Sequence, residues 1–132
     1  MSRASIPVPH LHARLAATPD AAGIASERLV AFLTAHGGGA ELAARVALAV
    51  TEAVSNVVRH AHLDGGGMID CEADIDDGLL EVVIADRGDG LRSFPSDGPG
   101  AGLGVIADCS DDCTIRSGDG EGIEVWMRFV LA

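Results

Sequence analysis

The chain has 132 residues, 48% of them apolar, which gives room for one domain with one packed core, and no apolar run approaches the roughly 18 residues that a membrane span requires. Its formal charge of −11, from 20 acidic and nine basic residues scattered along the chain, argues against nucleic acid as the main ligand. All nine basic residues are arginines, and the absence of lysine excludes a P-loop lysine, a protein-kinase-fold lysine and a pyridoxal Schiff base.

Met1 to Pro7 lacks the apolar stretch of a secretory signal and is expected to be a disordered tail. Three cysteines cannot all pair within one chain, which favours a reducing cytoplasm. Cys109 and Cys113 lack the further ligands of a zinc set and are assigned to packing. His10 to Ala17 reads as a strand. Thr18-Pro19-Asp20 then supplies a helix start, with a hydroxyl cap, proline at the first helical position and an acid near the positive end. That helix should run to about His36, with Ile24, Leu29, Phe32 and Leu33 on its packed side and Gly37-Gly38-Gly39 ending it.

A second helix is predicted over about Ala40 to Ala61. Val46, Val50, Ala53, Val54, Val57 and Ala61 form a broad apolar face, and Arg45, Glu52, Ser55, Asn56 and Arg59 form a narrow polar stripe that must meet water, a partner or a ligand. After Asp64-Gly65-Gly66-Gly67, strict alternation marks a strand with Ile69, Cys71, Ala73 and Ile75 inward and Met68, Asp70, Glu72 and Asp74 on a wet face. Asp76-Asp77-Gly78 makes a tight hairpin into a strand from Leu79 to Asp86. Asp86 shares its inward face with Leu80, Val82 and Ile84, where a carboxylate is costly unless hydrogen-bonded.

Residues 88 to 104 are rich in Gly, Pro, Ser and Asp and too long for a simple turn, so a mobile loop is expected there. A short helix over about Leu103 to Asp108 follows, then strands over about Cys113 to Ser117 and Ile123 to Val130, joined at Gly118-Asp119-Gly120. In the last strand Ile123, Val125, Met127 and Phe129 face the core and Trp126 faces out. The order of elements implies an α+β fold, a two-layer sandwich with helices on one face of a mainly antiparallel sheet.

Three segments carry the chemistry. Glu52 and Asn56 are one helical turn apart and lie over one surface patch, where an amide oxygen suits magnesium and a carboxylate can take a proton from a hydroxyl nucleophile. Asp86 ends a strand and is followed by Gly88 and Gly90, which offers an acceptor for an exocyclic amine beside backbone that a flat ring can approach. Gly100, Gly102 and Gly104 open a helix whose free N–H groups favour phosphate oxygens, and the spacing lacks the third glycine of a dinucleotide fingerprint. Taken singly, each also fits a bland reading: a solvated helix face, a plain Asp-Gly turn and a flexible linker.

In order and spacing, Glu52 with Asn56 resembles the N box, Asp86 with Gly88 and Gly90 the first glycine box, and Gly100 with Gly102 and Leu103 the second glycine box of the Bergerat-type ATPases shared by gyrase, heat-shock chaperones and sensor histidine kinases. The string from Glu52 to Ala61 looks most like the anti-sigma-factor serine/threonine kinases, and the resemblance runs from about residue 8 to 130. It implies a single ATP-binding domain over residues 1–132 with a lid at 88–102. It further implies a cytoplasmic kinase that sequesters a sigma factor and phosphorylates a serine or threonine of an anti-sigma-factor antagonist, using ATP and Mg2+. By that resemblance Glu52 is the general base, Asn56 the magnesium ligand and Asp86 the adenine acceptor. Gly88 and Gly90 line the base pocket, Gly100, Gly102, Leu103 and Gly104 carry the phosphate end, and His60 matches a family histidine beside the nucleotide, although a histidine packed at the helix end fits that position equally well. A homodimer is implied in the same way, with Trp126 as a contact.

Family lids often carry a basic residue near the second glycine box, whereas here Gly98-Pro99 precede Gly100 and Arg92 is the one basic residue of the loop. That departure bears on the rate of transfer more than on binding. It leaves two other functions in view: a partner-switching module that holds nucleotide without turnover, and a detached histidine-kinase catalytic domain.

Overall fold

The structure, a computed structural model, describes residues 8–62, 67–86, 103–117 and 123–131. In chain order these form β1 (His10–Ala16), α1 (Ala21–Ala35), α2 (Ala40–His62), β2 (Met68–Asp76), β3 (Leu79–Asp86), α3 (Leu103–Cys109), β4 (Asp112–Ser117) and β5 (Ile123–Val130). The strands make one sheet in the order β1-β2-β3-β5-β4, antiparallel at every pairing. The helices pack on one face, so the α+β sandwich expected from the order of elements is the fold observed.

Period-two alternation builds the helix-facing side of the sheet. One row runs through Leu11, Ala73, Val82, Met127 and Cys113, and the next through Ala13, Cys71, Ile84, Val125 and Ile115, with neighbours directly paired across the strands. Helix α2 lays Val46, Ala49, Val50, Ala53, Val54 and Val57 over these rows, and each is fully buried. Removing a Val, Leu or Ile side chain from water in this way contributes about 1.5–3 kcal/mol. Cys113 and Cys109 are partly buried against the same core.

The β2–β3 hairpin closes as the Asp-Gly pair demands, with Asp77 at φ 56 and Gly78 at φ 77, both in the left-handed region that a twisted two-residue turn requires. All four inward residues of β5, Ile123, Val125, Met127 and Phe129, are buried.

Several expectations need correction. Helix α1 starts at Ala21, not at Pro19, and its N-cap is Asp20, in helical conformation and without a side-chain cap bond. Thr18 instead accepts the Ala21 N–H through its backbone carbonyl at 3.0 Å, closing a turn ahead of the helix. Ile24 is 40% exposed, because the face of α1 that meets the core is the small one of Ala21, Ala22 and Ala25, continued by Leu29 and Leu33. Small residues let α1 lie close to its neighbours and rotate Ile24 outward. On β2, Asp70 is buried although it belongs to the outer face, because Arg14 and His12 of the edge strand close over it. Trp126 does face outward but is half-covered, with the Arg116 guanidinium 4.4 Å from its ring centroid and its Nε1 donating to Glu124 at 3.0 Å. Finally, β4 begins one residue early, at Asp112, and α2 extends to His62.

Candidate nucleotide site

The polar stripe of α2 is where helical spacing put it, but its members differ in depth. Glu52 and Ser55 are half-buried and Arg59 is exposed, whereas Asn56 is only 6% exposed. A carboxamide at that depth ordinarily satisfies both its oxygen and its nitrogen. Here Oδ1 accepts from Arg59 Nη2, three residues on, while Nδ2 has no hydrogen-bond partner among the described residues. Arg45, at the other end of the stripe, is a structural tie: its Nε donates to the Cys109 carbonyl at 3.0 Å, and its Nη2 meets Asp111 at 3.4 Å, clasping the end of α3 to α2.

Asp86 lies at the last position of β3 and is 3% exposed. It is in register with Ile69, which in turn is paired with Leu15, so the carboxylate occupies one place in an otherwise apolar row facing the helices. Helix α2 ends at His62, and β2, whose Ile69 pairs with Asp86, begins at Met68. Asn56, in the C-terminal half of α2, and Asp86, at the end of β3, are both buried polar residues.

His60 belongs to α2, and Leu103 and Gly104 open α3, but of these three only the backbone is described. Gly88, Gly90, Gly100 and Gly102, the lid proposed over 88–102 and the tail over 1–7 lie outside the described residues. The structure describes Glu52 and Asn56 one turn apart on α2 and Asp86 at the end of β3, and leaves the glycine boxes to the sequence. Arg59 was placed on the stripe by spacing. That it touches Asn56 was not legible, although a separation of three on a helix is the signal that could have found it.

Magnesium bound with a polyphosphate needs few protein ligands, because phosphates and water supply most of its oxygens. The Asn56 amide oxygen, with the Glu52 carboxylate one turn away, offers oxygen ligands of the kind Mg2+ takes, and the Asn56 Nδ2, without a partner among the described residues, is a donor that a phosphate oxygen could accept from. Among the described residues no group of three or more His, Cys, Asp or Glu side chains could hold a metal by itself.

Residues 15–129 match the family described as the histidine kinase-like ATPase domain. The chain belongs to that family. Membership of this ATPase domain family implies ATP binding. Among solved structures, the chain is similar to the RsbU and RsbW domains of Rv1364c from Mycobacterium tuberculosis, with 27% identity and a TM-score of 0.75. The match covers 95% of this chain and 33% of the other, so the histidine kinase-like ATPase domain spans about a third of that protein's length. No curated protein matches the chain. Among the described residues, no helix is long and apolar enough to cross a membrane.

Proposed function

We propose that this ATPase domain is a cytoplasmic serine/threonine protein kinase of the anti-sigma-factor type, which sequesters a sigma factor and phosphorylates that factor's antagonist. The reading is supported by the burial of two polar side chains, Asn56 in the C-terminal half of α2 and Asp86 at the end of β3, with the half-buried Glu52 one turn before Asn56. The similarity to a chain described as carrying an RsbW domain beside an RsbU domain supports a partner-switching setting.

In this reading Asp86 accepts the exocyclic amine of adenine, and a buried carboxylate discriminates strongly against a base that lacks the donor. Glu52 takes the proton of a serine or threonine hydroxyl as its oxygen bonds to the γ-phosphorus and the bond to the β,γ-bridging oxygen breaks, leaving ADP. Asn56 orients the phosphate end through its amide. Mg2+, when bound, neutralises charge on the transferring phosphoryl group. Gly88 and Gly90 line the base pocket, and Gly100, Gly102, Leu103 and Gly104 carry the phosphates, with His60 beside them.

The test is transfer of radiolabelled phosphate from MgATP to the cognate antagonist. Wild type should label it, and Glu52→Ala should lower the rate at least a hundredfold, the usual contribution of about 10²–10⁴ from a positioned base, while ATP still binds. Equal transfer by Glu52→Ala overturns the assignment of the base. Binding without any transfer by wild type converts the domain into the non-catalytic partner-switching module.

A further inference from the structure

Arg59 follows Asn56 by three residues, so both project over the same patch of α2, and Arg59 Nη2 donates to Asn56 Oδ1. The two partners differ in depth: the guanidinium belongs to an exposed residue and the carboxamide to a buried one. Asn56 has one oxygen to offer, and its Nδ2 is already without a partner among the described residues. Without Arg59 both polar atoms of this buried amide would lack a partner among the described residues, so the arginine lowers the cost of burying it.

The same oxygen is the one a divalent cation would take. A guanidinium N–H and a metal ion are both positive, and both approach the carbonyl along its lone pairs. Placing them on one oxygen together sets like charges within a few ångströms in a partly desolvated place. The oxygen has two lone pairs, so the two compete through this like-charge repulsion and not for one bonding position. We infer that Arg59 is a positioning residue that latches the Asn56 carboxamide in the metal-free protein, and that a divalent cation arriving with nucleotide binds only as the latch opens. The inference deepens the nucleotide reading of Asn56 given above and rests on it. Arg59 thereby bears on how much metal the site needs.

The experiment compares the whole chain as wild type, Arg59→Met and Arg59→Lys. At a fixed ATP concentration, magnesium is titrated and nucleotide binding is followed by calorimetry. A charge-assisted hydrogen bond that must be broken for metal to enter should raise the half-saturating magnesium concentration on the order of tenfold. Arg59→Met is therefore expected to need about tenfold less magnesium than wild type, with Arg59→Lys in between because an ammonium restores a donor but not the fork. An unchanged or higher midpoint in Arg59→Met overturns the latch. So does weaker binding at every magnesium concentration with no shift of midpoint, which is what loss of a simple phosphate contact would produce.

A second readout needs no nucleotide. In isotope-labelled protein the Asn56 side-chain amide resonance should move in Arg59→Met while the backbone spectrum elsewhere stays in place, and an unmoved Asn56 resonance overturns the latch. Should none of the three proteins bind ATP at any magnesium concentration, the proposed function fails, and the latch is then decided by this resonance alone.

Discussion

Asp86 and Ile69 face each other across the β2–β3 ladder, both turned toward the helices, at 3% and 0% exposure. The register would accept an aliphatic side chain at 86 as readily as at 69, so a carboxylate there is a departure from the rule that built the rest of the row. In the proposed function this carboxylate recognises the base. Asp86→Asn keeps the shape and removes the charge. It is expected to weaken ATP binding at least tenfold, measured by titration, while the unfolding free energy changes by less than about 1.5 kcal/mol, the range of one hydrogen bond. Equal ATP affinity in the variant would contradict the role given to Asp86.

The edge of the sheet is held by a different carboxylate. Arg14 Nε donates to Asp70 Oδ1 at 3.0 Å, and His12 Nε2 lies 3.2 Å from the same oxygen. The hydrogen bond to Asp70, then the charge of that carboxylate, raise the Arg14 pKa, so the guanidinium stays charged at any accessible pH. Arg14→Ala should loosen β1 specifically. Amide hydrogen exchange of residues 10–16 is expected to accelerate while exchange in β3 and β5 remains slow, since an edge strand can open without the sheet's centre.

Gly38 answers to sterics. It follows Gly37, whose φ of 97 turns the chain out of α1, and its N–H bonds back to the Leu33 carbonyl at 2.9 Å. A Cβ at 38 would fall on Cγ of Leu33, a fully buried side chain that cannot swing aside. Gly38→Ala is expected to cost about 1–3 kcal/mol of unfolding free energy in urea titration, in the manner of an overpacked core. Gly39→Ala, with nothing near its added carbon, should cost less.

Burial pushes the Cys71 thiol up from 9.0 to about 11, with the charge of Asp70 adding to the effect. The folded protein therefore keeps its proton where the unfolded chain has lost it. Stability carried by this group is complete below pH 9 and declines as pH rises from about 9 to about 11. Cys71→Ala should flatten that part of the pH profile of unfolding. At pH 8, iodoacetamide should label the half-buried Cys109 and Cys113 well before Cys71.

Period and punctuation were sufficient for much of this protein. Alternation in β2, β3 and β5 and the broad apolar face of α2 determine which residues enter the core, because a side chain's direction in a strand or helix follows from local geometry alone. The Asp77-Gly78 hairpin is equally local, since its left-handed dihedrals restrict the residues that can adopt them. The pairing of Glu52 with Asn56 and the inward aim of Asp86 belong to the same class. Only the tertiary structure decided what lies between elements far apart in sequence. It set β5 between β3 and β4, buried Asp70 beneath Arg14 from 56 residues away, and turned Ile24 outward in favour of a small-residue contact. Depth is likewise a property of the assembled layers: helical spacing placed Arg59 beside Asn56, but the burial that makes their contact consequential exists only once α2 is seated on the sheet.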